Sequence, residues 1–195
     1  NKITNTGSQP WKKESGLLSI WILGMFNPSP ETTVIIPYQG DLELNTEYFG
    51  SIGPERLTVS EHAVLFKGDG TYRSKIGLPP QNIKTPLFGS YDKKNRILTI
   101  VRFQFSGGST YVNSLWEQQE FPYQGDVVNS YNDGPLEDGV QLGPFYELES
   151  SSDSKELEPD ESMEHWHSTY HFEGDFSSLN ALSKELLGFD LSELN

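Results

Sequence analysis

The sequence predicts a mainly β protein, an antiparallel β-sandwich closed by a short C-terminal helix. Three observations carry that expectation. Eighteen glycines and 12 prolines are scattered as punctuation rather than gathered into tracts, which suits many short strands joined by turns. Aromatic residues make up 12% of the chain, ample material for large side chains packed between sheets. A helical period of apolar residues is confined to the tail. The 195 residues suffice for one well-packed domain. They divide into a sandwich over 1–174 and a helical tail, 175–195, packed on the same domain.

The elements follow in order. Residues 16–26 are almost continuously apolar, and Gly16 with Asn27-Pro28-Ser29-Pro30 bounds them, so they read as a buried strand. Thr33-Val34-Ile35-Ile36-Pro37-Tyr38 is β-branched and reads as the next strand, with Pro37 at its end or on an edge. Gly53-Pro54-Glu55-Arg56-Leu57 reads as one helical turn with Pro54 first. Residues 63–67 and 71–76 read as a β-hairpin around Gly68-Asp69-Gly70, because Asp-Gly supplies the positive φ of a tight turn. Pro79-Pro80 ends that pair. Residues 96–105 are rich in β-formers. Residues 110–119 alternate, with Tyr111, Asn113, Leu115 and Glu117 on one face and Val112, Ser114 and Trp116 on the other.

Shorter strands are expected at 126–131 and 145–150, flanking the turn Asn132-Asp133-Gly134-Pro135. After an acidic loop at 150–160, residues 163–172 read as the last strand. In the tail, Asp175 or Ser177 caps a helix whose Phe176, Leu179, Leu182, Leu186 and Leu187 share a stripe, and Gly188 closes it.

The formal net charge of −14 excludes a nucleic-acid surface, which needs clustered cations, and disfavours anionic membranes. The acidic excess is concentrated from Glu147 onward, where two lysines, Lys155 and Lys184, answer it. It reads as a solvated, solubilising region or as a cation- or sugar-facing surface. The absence of cysteine removes disulfides, thiolate metal sites and cysteine nucleophiles together. No apolar run approaches the roughly 20 residues of a membrane span. The chain opens on Asn1 without an initiator Met, which reads as a processed or shortened chain.

Candidate chemistry lies in four groups. Glu147 and Glu149 share one strand face, their roots roughly 6.5–7 Å apart from a two-residue rise. Such a pair divides acid and base duties, takes a hard cation such as calcium, or lies on an exposed face. Asp126, Asn129, Asn132 and Asp133 form a polar cluster able to bind hydroxyls; for Asn132 and Asp133, Asx hydrogen bonding within a turn is the better reading. Arg73 and Lys75 share a face and suit an anion, or cover apolar neighbours with their stems. His165, His167 and His171, at i, i+2 and i+6 on one strand, project to one face, with Trp166, Tyr170 and Phe172 on the opposite, buried one. That histidine face is open surface, a cleft floor for a sugar or proton transfer, or, through His-x-His, a metal chelate. No dedicated metal site and no cofactor is expected.

Several stretches together resemble an uncharacterised family of bacterial proteins: 17–26 (LLSIWILGMF), 72–77 (YRSKIG), 125–134 (GDVVNSYNDG) and 143–152 (GPFYELESSS). Members are longer, so the chain reads as a C-terminal half. The family in turn is distantly similar to the galactose mutarotase superfamily, in which an antiparallel β-supersandwich holds a sugar on its concave face. The likeness is best between Glu147 and Phe172. It implies a carbohydrate ligand, with Glu147 or Glu149 as the base that removes the anomeric hydroxyl proton and with Asp126, Asn129 and Arg73 orienting the sugar. It also implies a periplasmic or secreted location. Mutarotases carry their acid histidine upstream, whereas His165, His167 and His171 follow the glutamates and are not that residue by position. The alternative is a non-catalytic sandwich that recognises a glycan or packs on a missing N-terminal half; in either case open sheet edges favour self-association or pairing with that half.

Overall fold

The computed structural model describes residues 1–115 and 117–194. In chain order the strands are β1 (Lys2–Thr4), β2 (Trp21–Phe26), β3 (Thr32–Pro37), β4 (Leu57–Val59), β5 (Ala63–Lys67) and β6 (Ser74–Leu78). There follow β7 (Leu87–Asp92), β8 (Ile97–Phe103), β9 (Val128–Asn132), β10 (Tyr146–Ser151), β11 (Ser162–Glu164) and β12 (His167–Glu173). One α-helix, α1 (Phe176–Leu186), closes the chain. No helix among the described residues is long and apolar enough to cross a membrane.

The strands form three antiparallel sheets. The largest has the order β12-β8-β7-β3-β5-β4, the second β2-β10-β9-β6, and β1 pairs with β11 in a small ribbon. The two large sheets face each other. Val34, Ile36, Phe66, Phe88, Val101 and Phe103 from the six-stranded sheet meet Ile76, Leu78, Val128, Tyr146 and Leu148 from the four-stranded one. Each such side chain withdrawn from water contributes about 1.5–3 kcal/mol. The period-2 alternation of the strands does the sorting: β6, β9 and β10 turn every second residue into this layer and the others away from it.

The opposite face of the six-stranded sheet is covered by the tail. Leu179, Leu187, Phe189 and Leu191 pack on Ile35, Ala63, Tyr91, Leu98 and Ile100. Asp175 caps α1 by accepting from the Ser178 amide (3.0 Å). Gly188 follows the helix at φ +66, the left-handed position that glycine fills without strain. The mainly β architecture with one short C-terminal helix is as the sequence predicts.

Four expectations are corrected. Residues 63–76 are not a hairpin: β5 pairs with β3 and β4, while β6 pairs with β9 in the other sheet. Gly68-Asp69-Gly70 is a corner between sheets, braced by Arg56 Nη2 donating to Asp69 (2.5 Å) and by the Gly70 amide donating to Asn132 Oδ1 (2.8 Å). The local Asp-Gly signal is the same for both outcomes, and core packing decides between them. The run at 16–26 pairs only from Trp21, and β2 is an edge strand with Leu23 44% and Met25 60% exposed. Residues 110–119 do not form a strand: Tyr111 makes an isolated bridge to Gln124, and Asn113 Oδ1 folds the segment on itself by accepting from Leu115 N; Trp116 lies outside the described residues. Finally, 163–172 is two strands in two sheets, broken at His165-Trp166.

Candidate functional site

The outward face of the four-stranded sheet carries most of the singled-out chemistry. Cross-strand register aligns Met25, Glu147, Tyr131 and Lys75 in one row and Leu23, Glu149, Asn129 and Gly77 in the next. Residues directly opposite on one face lie within about 4.5–5.5 Å at their Cβ atoms, so the charged groups meet through β-sheet alternation alone. Although it faces away from the core, this surface is capped, and Glu149, Lys75 and Glu147 are 0%, 5% and 7% exposed.

At its centre Lys75 Nζ donates to Glu149 Oε2 (2.9 Å), and the Trp21 indole donates to the same oxygen (2.8 Å). Lys75 Nζ also lies 4.7 Å from the Trp21 ring centroid and 5.0 Å from that of Tyr48, so the ammonium sits against two π-faces as well as a carboxylate. The other Glu149 oxygen, Oε1, is buried without a hydrogen-bond partner. Glu147 stands beside it. Burial, then the negative charge of Glu149, pushes the Glu147 carboxyl up to about 7, with Lys75 pulling weakly the other way. A proton retained on Glu147 supplies the donor that this corner otherwise lacks.

Beyond Lys75, Tyr48 Oη donates to Asp126 Oδ2 (2.6 Å) and accepts from Asn129 Nδ2 (3.0 Å), while Asn45 Nδ2 also donates to Asp126 Oδ2 (3.0 Å). Burial raises the Asp126 carboxyl, and the bonds from Tyr48, Asn45 and Asn129 oppose that rise. Burial, reinforced by Asp126, pushes Tyr48 well above the ordinary phenol range, so it stays a donor. Gly77 makes this arrangement possible: a Cβ there would run into the Asp126 carboxylate and the Asn129 amide.

At the other end Arg73 stacks on Phe49, 4.0 Å from guanidinium carbon to ring centroid, and donates from Nε to Tyr131 Oη (3.3 Å). Tyr131 Oη in turn donates to Asp133 Oδ1 (2.9 Å).

The fold therefore brings Glu147, Glu149, Arg73, Lys75, Asp126 and Asn129 to one face; alternation predicts the pairs Glu147 with Glu149 and Arg73 with Lys75, while Asp126, which precedes β9, joins through its bonds to Tyr48 and Asn45. Lys75 is paired within the cluster, and Asp126 and Asn129 hold the Tyr48 loop in place. Asn132 and Asp133 brace other segments rather than their own turn: Asn132 Nδ2 donates to Tyr72 O (2.8 Å), and Gly143 N donates to Asp133 Oδ2 (3.1 Å).

The histidines lie elsewhere. Ser150 points from β10 to the side opposite Glu149, and its Oγ is 2.9 Å from both His165 Nε2 and His167 Nδ1. Burial, then the neighbouring His167, lowers His165 to about 4, and burial also lowers His167. His171 Nδ1 is 2.9 Å from Thr99 Oγ1, and its ring meets Phe26 edge-on at 5.6 Å. The expected division of faces holds for exposed His171 and for Phe172, which packs under the tail, but not for the other residues. The histidines of β12 look toward the four-stranded sheet, whereas Trp166 and Tyr170 are 42% and 46% exposed. The reason is that β12 is an edge strand, and the tail covers the sheet nearer its centre. Among the described residues no three His, Asp or Glu side chains gather as a metal site.

Sequence reasoning passed over Trp21, Tyr48, Phe49 and Tyr131 as site residues. Trp21 and Tyr131 carried a signal, since each belongs to a strand that pairs next to a charged one; Tyr48 and Phe49 arrive on an irregular segment that no periodicity marks.

Comparison with curated proteins and with solved structures gave no match. Residues 1–195 match the model of a family of unknown function, DUF6786, and the chain belongs to that family.

Proposed function

We propose that the outward face of the four-stranded sheet binds a carbohydrate, and that Glu147 moves a proton in opening and reclosing a sugar hemiacetal. One observation carries this reading: two carboxyls share a face in contrasting environments. Glu149 is fully buried in an ion pair with Lys75, while Glu147 beside it is held near neutrality. Pairs whose surroundings separate them in this way divide acid–base roles. Glu147 is the base of the two, because both partners of Glu149 Oε2 are internal and no part of Glu149 is exposed. The resemblance to mutarotases implies a base at Glu147 or Glu149 without choosing between them, and this difference in burial is what favours Glu147.

In this reaction ionised Glu147 takes the proton of the anomeric hydroxyl, the bond from C1 to the ring oxygen opens, and the ring oxygen takes a proton from solvent. The resulting aldehyde turns about its C1–C2 bond. Reclosing on the other face reverses both transfers, so no cofactor and no net proton are consumed. A base must lie within about 2.6–3.2 Å of the hydroxyl it deprotonates. Glu149 acts through Glu147 as a positioning residue, its charge keeping the neighbouring proton affinity high.

A second reading, recognition without catalysis, is favoured by one specific observation. Lys75, Asp126 and Asn129 already bond within the protein, which suits a rigid binding face. Proton NMR of anomer exchange across a panel of free aldoses separates the two. Accelerated exchange that vanishes in Glu147→Gln establishes catalysis. Sugar-induced shifts of the Trp21 indole without acceleration leave recognition alone. No shift and no acceleration with any aldose overturn the carbohydrate reading.

A further inference from the structure

We infer that Arg73 forms an anion subsite at the end of this face, so that the preferred ligand is an acidic sugar rather than a neutral one; the inference rests on the carbohydrate reading above. Arg73, immediately before β6, and Lys75, on it, reach the same side of the sheet, but their situations differ. Lys75 is buried and paired with Glu149 at 2.9 Å. Arg73 is half-buried, and among the described residues no carboxylate lies within ion-pairing distance of it and neither terminal nitrogen bonds to the protein.

The guanidinium is nonetheless held in place. Phe49 lies under its plane, Tyr131 Oη takes the Nε hydrogen, and Phe49 and Tyr131 meet edge to face at 5.6 Å. Nε bonding inward leaves the two terminal nitrogens as an outward fork, the geometry that matches a carboxylate or phosphate oxyanion with two parallel bonds. Tyr131 is the direct cross-strand neighbour of Glu147. An oxyanion on Arg73 is therefore one side chain away from the proposed base, a separation that suits two ends of one sugar ring. The chain carries a formal charge of −14 and repels anions in general, so selective anion capture must come from a local site.

The test titrates D-galacturonate, D-galactose and D-galactose 6-phosphate into the wild type, Arg73→Met and Arg73→Lys at two salt concentrations, read by amide and indole shifts. A charge-assisted pair gained over the neutral sugar predicts roughly tenfold or more tighter binding of one acidic sugar, weakened by salt. In Arg73→Met that preference collapses to the level of galactose, and Arg73→Lys restores part of it. Preference for the uronate assigns the subsite to carboxylate, and preference for the 6-phosphate assigns it to phosphoryl. Equal binding of all three sugars, or a preference that survives Arg73→Met, overturns the subsite and leaves the carbohydrate reading standing. Binding of none overturns both. Thermal unfolding of each variant alongside the wild type separates lost recognition from lost folding.

Discussion

Replacing Glu147 with glutamine tests whether the carboxyl keeps its proton in the fold. Glu147 has an ordinary value of 4.5 and is pushed to about 7 by burial and by Glu149. The folded state thus binds this proton more tightly than the unfolded chain. Its stabilising contribution is full below about pH 4.5 and is lost as pH rises through about 7. The interval is worth roughly 3 kcal/mol. Glutamine offers a permanent N–H to the buried Glu149 Oε1 and carries no charge to lose. In urea unfolding from pH 4.5 to 8, wild type and variant should be near equal at the acid end. By pH 8 the variant should be the more stable by about 3 kcal/mol. His165 bends both curves alike. Its folded value of about 4 against an ordinary 6.5 costs stability as pH falls through that window, the opposite direction to Glu147. Between about 4.5 and 6.5 His165, joined by His167 whose value burial also lowers, opposes Glu147, so the wild-type curve read singly understates the Glu147 slope. The difference between proteins cancels His165 and isolates Glu147. Parallel curves across the whole range would refute the reasoning.

Other outcomes follow from the same contacts. Lys75→Met strands the fully buried Glu149 carboxylate and should cost about 3–5 kcal/mol in urea unfolding, most of it recovered in Lys75→Met/Glu149→Gln; no recovery would show that packing, not charge, was lost. Gly77→Ala forces the Asp126 and Asn129 side chains aside and should cost about 1–3 kcal/mol, with a changed near-ultraviolet tyrosine signal as Tyr48 loses its partners. Ser150→Ala removes the hydroxyl shared by His165 and His167 and should cost about 1–3 kcal/mol. Imidazole proton shifts should show His165 neutral until about pH 4; titration at an ordinary 6.5 would mean that it is not buried.

The fold was legible where side-chain alternation alone decides the structure. The β-branched stretch that became β3, the runs that became β8, β9 and β10, and the capped stripe of α1 all carry their faces in their own residues. What escaped depended on partners. Nothing near Gly68-Asp69-Gly70 says whether β6 returns to β5 or crosses to β9. The strand β7, which the sequence does not mark, carries Gly89 and Ser90 at its centre in place of β-branched residues, and it forms the local hairpin with β8 through Asp92, which accepts from Asn95 N (3.0 Å). In the histidine strand alternation gives two faces without saying which is inside, and aromatic bulk points inward correctly only for Phe172. On this edge His165 and His167 find Ser150 inside, while His171 meets Thr99 from an exposed position.

Within the site, the sequence located the charged groups but not which of them are already satisfied, and that difference separates a brace from a binding face. A buried lysine–glutamate pair is weak evidence for stability, since apolar residues of similar volume often do as well. Here the pair sits beside a second carboxyl, which raises the electrostatic cost further. The Asp126–Tyr48–Asn129 group closes on itself, and stabilising the loop over the sheet accounts for it in full. The Glu149–Glu147 corner does not close: one buried oxygen lacks a partner unless the neighbour stays protonated. Arg73, oriented at one edge and open at its fork, is incomplete in the same sense. Two incomplete groups of opposite character, joined through Tyr131 on one face, are what the proposed ligand, with a hydroxyl at one end and an oxyanion at the other, would complete.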